Sequence, residues 1–173
     1  MPERSLTIEQ TLTLLAAAPP RIIALTADLT PARLRTSPDP EALEWSAVDV
    51  IAHLRACADM WGGCIATILA EDMPTSRAVN PTTWIKQTNY RDLEFHPSLD
   101  AFATQRAELL AVLRPLPSEA WSRAATMNGG GKPRVRTVLS FTQRLAIHER
   151  PHIKQIGRAA SARKEEPSSS APL

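Results

Sequence analysis

Residues 137–160 read TVLSFTQRLAIHERPHIKQIGRAA and carry two histidines, His148 and His152, four positions apart. A spacing of four stacks two side chains on one face of an α-helix. Apolar residues recur with helical spacing on the same side, at Phe141, Leu145 and Ile156. The pattern therefore predicts a helix whose two imidazoles point into a core, where they need partners. A divalent metal ion is the partner that uses two inward nitrogens one turn apart.

A third ligand has to come from elsewhere in the chain, and His53 lies in a second candidate helix. Residues 46–71 read SAVDVIAHLRACADMWGGCIATILAE. Ser46 is the predicted N-cap, and Asp49, three positions on, completes a capping box. One side of this helix carries His53, Cys57, Met60 and Cys64. The pattern therefore allows His53 to face inward, toward the other two histidines.

For each of four further side chains the sequence allows more than one role. His96 is predicted to be structural, with lining a cavity as its alternative. Cys57 is predicted to be a small buried thiol, with contact to a metal or a role as a redox target as its alternatives. Asp49 is predicted to cap its helix, with orienting a histidine ligand as its alternative. Glu149 lies about 100° around the helix from the preceding histidine, so we expect it to face away from an ion and not to act as a base.

The remaining patterns predict a bundle of helices. A first helical pattern begins near residue 5, meets Pro19 and Pro20, and continues beyond them, and a third helix should follow a Ser98 cap. Periodicity fails over residues 71–97, which predicts a long ordered loop with a helical turn near residues 83–87. The predicted fold class is an all-α four-helix bundle with a long connection between helices 2 and 3. We expect one domain, residues 1–160, and a flexible tail, residues 161–173.

Composition and charge narrow the class of protein. A chain of 173 residues with 43% hydrophobic and 22% charged residues is typical of one soluble domain. It shows neither a leader pattern nor an apolar run long enough for a membrane span, so we expect a cytoplasmic protein with reduced cysteines.

The positive charge is concentrated near the C-terminal end. Eight basic and one acidic side chain lie within residues 132–163. No aromatic interleaving or nucleic-acid motif accompanies them, which favours a solvated face or a rim that attracts anionic ligands over nucleic-acid binding. Residues 128–134, NGGGKPR, lack the second spacing and the hydroxyl residue of a phosphate loop, and are predicted to be an ordinary loop.

Two segments, EWSAVDVIAHL and LAIHERPHIKQI, resemble the hallmark of the DinB-like superfamily of metal-binding four-helix bundles. The resemblance covers about residues 5–160. It implies that His53, His148 and His152 bind a divalent metal, nickel or zinc. Pro151 departs from the pattern between the two histidines, and we expect it to cause a tolerated kink.

Relatives in that superfamily include bacillithiol-dependent S-transferases and mycothiol-dependent maleylpyruvate isomerases. The resemblance thus implies a metal-dependent thiol S-transferase or hydrolase acting on a small molecule, and it leaves a homodimer open. In this hypothesis Arg144, Arg150 or Lys154 attracts the acidic part of a low-molecular-weight thiol. The alternatives are a stress-response bundle that binds a metal or ligand without turnover, and a structural bundle whose histidines only form hydrogen bonds.

Overall fold

The computed structural model describes residues 5–129 and 131–161. Within them, four long helices are joined by shorter segments. The long helices are α1 (Ile8–Thr26), α3 (Ala47–Ala70), α5 (Phe95–Leu113) and α6 (Val138–Ser161), and the short ones are α2 (Pro31–Arg35) and α4 (Pro81–Trp84). The predicted four-helix bundle with a long connection between the second and third long helices is confirmed. The predicted tail lies outside the described residues except for Ser161, which ends α6.

Side-chain caps begin the two long helices α3 and α6, and the cap of α3 is the one that the sequence predicted. At the start of α3, the Asp49 amide donates to Ser46 Oγ and the Asp49 carboxylate accepts from the Ser46 amide. At the start of α6, the Ser140 amide donates to Thr137 Oγ1 over 3.0 Å. These bonds satisfy amides that a helix leaves without a partner in its first turn, and they confirm that Asp49 caps its helix.

The predicted start of α5 was wrong by about a turn. The helix begins at Phe95, and Ser98, the predicted cap, is fully buried inside it. The Ser98 hydroxyl instead accepts a hydrogen bond from the Arg55 guanidinium. Pro97 sits in the first turn of α5, where a missing amide hydrogen costs nothing, so this proline does not exclude helix before it.

Helices α1 and α6 both run through prolines. Pro19 and Pro20 lie inside α1, which continues to Thr26 without a restart. Pro151 lies inside α6, and its side chain is exposed. A proline at this position leaves the carbonyl of Ile147 without its helical partner, and the Ile147 side chain is also exposed. The defect therefore lies on the solvent side of the helix, where water can satisfy the carbonyl.

A small sheet caps one end of the bundle, and the sequence did not predict it. Its strands are β1 (Thr75–Arg77), β2 (Ala124–Asn128) and β3 (Arg134–Thr137), with β2 in the middle. Strand β1 is parallel to β2, whereas β2 and β3 are antiparallel. The predicted NGGGKPR loop joins β2 to β3, and its Gly129 and Gly131 have φ angles of 95° and 99° that favour glycine.

The apolar core is divided into two clusters along the bundle. On α3, the change from one cluster to the other falls between Leu54 and Cys57. On α6, it falls between Ala146 and Ile153. His148 and His152 fall within this change on α6, and His53 lies at its edge on α3, so the histidines sit at the boundary between the two apolar clusters. Among the described residues, no helix is both long and apolar enough to cross a membrane.

Candidate metal centre

The three predicted histidines come together between α3 and α6. The ring centroids of His53 and His148 lie 5.1 Å apart, and those of His53 and His152 lie 4.7 Å apart. The rings of His148 and His152 are 4.6 Å apart, as expected one turn apart on a continuous helix. Pro151 therefore does not separate the two histidines, which lie one turn apart on a helix that continues through the proline.

The nitrogen positions fit a single metal ion. The Nε2 atoms of His53 and His148 face one another at 3.3 Å. Two nitrogens bound tetrahedrally at about 2.0–2.1 Å from one ion lie about 3.3 Å apart. The Nδ1 atom of His148 is buried and has no hydrogen-bond partner within the part of the chain that the structure describes. One imidazole can also donate to another over this distance. The ligand atoms that lie within 4.8 Å of one another belong to His53, Cys57 and His148. His152 is not in that group: it meets the other two histidines through its ring, and its Nδ1 atom faces Gln155 Oε1 at 3.2 Å.

Burial keeps these imidazoles in the form that binds metals. Burial, followed by the neighbouring His152, lowers the pKa of His53 and of His148 to about 4. Burial also lowers the pKa of His152. A hydrogen bond to Gln155 acts in the opposite direction, but the effect of burial is larger. The three rings are therefore neutral at neutral pH, with a nitrogen lone pair available to an ion.

Cys57, which was predicted to be a small buried thiol, lies close to the histidines. Its Sγ atom is 3.5 Å from His53 Nε2. Ligand atoms of His53, Cys57 and His148 all lie within 4.8 Å of one another. Burial raises the pKa of Cys57 to about 12, so without an ion the group is a neutral thiol. A metal ion would deprotonate it and could then use it as a ligand.

Two tryptophans pack against the histidines. Trp45, just before α3, lies edge-on to His53 at 5.1 Å and stacks on His152 at 6.1 Å. Trp61 meets the His148 ring edge-on at 5.0 Å. These large rings pack against the imidazoles and help to hold them in place.

Beneath the histidines lies a buried ion pair that the sequence did not predict. Glu149 on α6 pairs with Arg106 on α5, and each residue is 2% exposed. Burial raises the pKa of Glu149, and Arg106 opposes that rise. The Glu149 carboxylate therefore faces Arg106 of α5. That Glu149 does not act as a base stays a prediction. The sequence did contain a sign of this buried pair. Glu149 follows Leu145 by four positions and Arg106 follows Phe102 by four, so each charged residue occupies a position of an apolar stripe.

A cavity of about 440 Å³ opens on the side of Trp61, and none of the three histidines is among the residues that line it. Its lining includes Trp61 and Arg144, which precedes His148 by one helical turn. The Arg144 guanidinium lies 4.9 Å from the centroid of the Trp61 ring. Arg150 and Lys154, the other two basic residues singled out in the sequence, are exposed and lie outside this lining.

The fourth histidine, His96, and the long connection between α3 and α5 make packing and hydrogen-bond contacts. His96 is exposed at the start of α5, where its ring lies edge-on to Phe95 at 5.6 Å. From the long connection, Trp84 lines the cavity and the Tyr90 hydroxyl donates to the Asp59 carboxylate over 2.7 Å. The connection therefore covers the cavity, while His96 does not reach it.

Comparison with known proteins places this fold in a family. The solved structure of YfiT from Bacillus subtilis, described as a probable metal-dependent hydrolase with an unusual four-helix bundle topology, matches with a TM-score of 0.76. The match covers 93% of this chain and 91% of that chain at 18% sequence identity, so it shows a shared fold. Curated proteins give no match. The family model of the DinB superfamily matches residues 14–156, most of the chain, and the protein therefore belongs to the DinB superfamily.

Proposed function

We propose that this chain is a metal-dependent enzyme acting on a small molecule, with His53, His148 and His152 holding one divalent ion, nickel or zinc. The observation that carries the proposal is the 3.3 Å separation of facing Nε2 atoms on His53 and His148, with the His152 ring packed against both. Membership of the DinB superfamily and the fold shared with YfiT support it.

A divalent ion bound there supplies a Lewis acid that lowers the pKa of water or of a thiol. The three neutral imidazoles leave a tetrahedral ion one open position, which is the arrangement of catalytic zinc sites. Trp45 and Trp61 pack against the rings. Two reaction classes fit this arrangement: hydrolysis of a small molecule, and transfer of a low-molecular-weight thiol to an electrophile.

The test is metal-dependent turnover with paired substrates. Protein reconstituted with nickel or zinc is given activated esters and amides in one set, and thiol–electrophile pairs in another. We expect activity in one set that is lost in His152→Ala and kept in His96→Ala, since His96 is an exposed histidine outside the centre. Equal rates in both variants would contradict the assignment of His152.

A non-catalytic bundle that sequesters or senses an ion under stress is the second candidate, and the position of Cys57 favours it. A tetrahedral ion with nitrogen at about 2.0–2.1 Å and sulfur at about 2.3 Å places these ligand atoms about 3.5 Å apart. The Sγ atom of Cys57 lies 3.5 Å from His53 Nε2. A thiolate in the fourth position would close the site, as in structural zinc centres.

Cobalt substitution separates these two candidates. Thiolate coordination to cobalt gives an intense charge-transfer absorption in the near ultraviolet, whereas nitrogen and water ligands do not. A closed site predicts this band in the wild type, its loss in Cys57→Ser, and its retention in Cys64→Ser, because Cys64 lies outside the ligand group. The enzyme proposal predicts no band until an external thiol is added.

A further inference from the structure

The cavity on the side of Trp61 has an apolar floor. It lies between α3, the start of α6 and the small sheet, and its volume is about 440 Å³. Aromatic and thioether side chains form the floor, from Met60, Trp61, Trp84, Met127 and Phe141. A pocket of roughly 300–1,000 Å³ with such a lining is typical of sites for small organic molecules.

The rim of this cavity is strongly basic. Five cations line it, from β1, the β2–β3 turn, β3 and α6: Arg77, Lys132, Arg134, Arg136 and Arg144. Arg134 and Arg136 are two positions apart on β3, so their side chains leave the same face of the strand. Within residues 5–129 and 131–161, none of the five forms an ion pair with a carboxylate.

One carboxylate, that of Asp59, also lines the cavity. Its two oxygens accept hydrogen bonds from the Tyr90 hydroxyl and from the Gln105 side-chain amide. Asp59 is therefore held toward α5 and the connecting segment, away from pairing with the cations of the rim. The cavity keeps a net positive charge that a bound anion would neutralise.

We propose that this cavity binds an amphipathic organic anion, a carboxylate, phosphate or sulfonate carried on an aromatic or aliphatic body. The anionic group pairs with Arg134 and Arg136, and the body packs on Trp61 and the rest of the apolar floor. Because Trp61 also contacts the His148 ring, the bound molecule lies beside the metal centre. Its assignment as the substrate rests on the proposed function, whereas its binding to the cavity does not.

A pair of fluorescent probes tests the chemistry of this site. Anilinonaphthalene sulfonate has an aromatic body with an anionic group, and phenylnaphthylamine is its uncharged parent. We expect the sulfonate to bind at least about tenfold more tightly than the parent, the contribution of one or two charge-assisted hydrogen bonds. We expect Arg134→Gln combined with Arg136→Gln to remove that preference, and Arg150→Gln, outside the lining, to keep it. Equal affinity for both probes in the wild type would refute an anion site.

Two adjacent glycines offer a matched test of the location. Gly63 lines both the cavity and a neighbouring groove between α3 and α5, whereas Gly62 lines that groove alone, and a Cβ atom at either position meets no atom within 4 Å. Gly63→Phe should fill the cavity and weaken sulfonate binding at least about tenfold, while Gly62→Phe should leave it within about twofold. Equal binding by the two variants would place the probe elsewhere and overturn the proposal.

Two further measurements of probe binding use metal-free protein and competing ligands. Binding should persist in metal-free wild type and in His53→Ala, so loss of the metal centre and loss of the anion site give different results. Small carboxylates and phosphates should compete with the probe. If a single-stranded oligonucleotide displaced it far better than these, with a steep dependence on salt, the surface would be a nucleic-acid site and the proposal would be wrong.

Discussion

Replacing Arg106 with methionine should lower the free energy of unfolding by about 3–5 kcal/mol, the usual cost of leaving one partner of a buried ion pair uncompensated. Arg106 and Glu149 are each 2% exposed, so water cannot replace the lost partner. In a chain of this size each kcal/mol lowers the melting temperature by about 2–4 °C, which gives a fall of about 6–20 °C.

Replacing both partners should have a much smaller effect. The Nε and Nη1 atoms of Arg106 and the Oε2 atom of Glu149 have no hydrogen-bond partner among the described residues. The desolvation cost of this pair is therefore only partly offset. Arg106→Met combined with Glu149→Leu should be neutral or stabilise the protein by about 1–4 kcal/mol.

Urea denaturation of the two single variants, the double variant and the wild type gives the coupling energy directly. The Arg35–Glu94 pair is the matched control, because its side chains are 44% and 62% exposed. Arg35→Met should therefore change the free energy of unfolding by less than about 1 kcal/mol. If Arg106→Met had an effect as small as that of Arg35→Met, the pair would not be a buried electrostatic contact between α5 and α6.

Three further substitutions test local features of the helices. Pro151→Ala restores an amide that can bond to the Ile147 carbonyl and should raise the free energy of unfolding by about 1–3 kcal/mol in urea titrations. If it also reduced the bound metal, the proline would be setting the ligand spacing. Tyr90→Phe removes the hydrogen bond to the Asp59 carboxylate and should cost about 1–2 kcal/mol by the same measurement, and an unchanged midpoint would contradict this contact. Ser46→Ala removes the cap of α3 and should cost about 1 kcal/mol, with Ser46→Thr as the variant expected to restore most of it.

The sequence predicted the parts of this protein that rest on long periodic patterns. Helices α3 and α6 each extend over 24 residues, so their apolar stripes outweigh local exceptions such as Pro151 and the two glycines in α3. A capping box of known spacing, Ser46 with Asp49, fixed where α3 begins. Spacing alone then brought His148 and His152 to one face, the helical pattern of α3 offered His53 as the third ligand, and the family resemblance supported that choice.

The features that escaped prediction depend on contacts between distant segments. The three strands have three to five residues each, too few for alternation to be recognised, and β1 pairs with a strand far along the chain. The basic cavity exists only because this sheet brings Arg77 and Arg134 to the side of α3. The pairing of Arg106 with Glu149 likewise depends on the packing of α5 against α6.

The most direct test of the three-histidine centre is the metal content of protein purified without an affinity-tag metal. Wild type, His53→Ala, His152→Ala and the control His96→Ala are compared by elemental analysis after incubation with nickel or zinc and removal of free ion. We predict about one ion per chain in the wild type and in His96→Ala, and its loss in the other two variants. A wild type that binds no metal, or a His152→Ala variant that keeps a full ion, would contradict the centre proposed for this bundle.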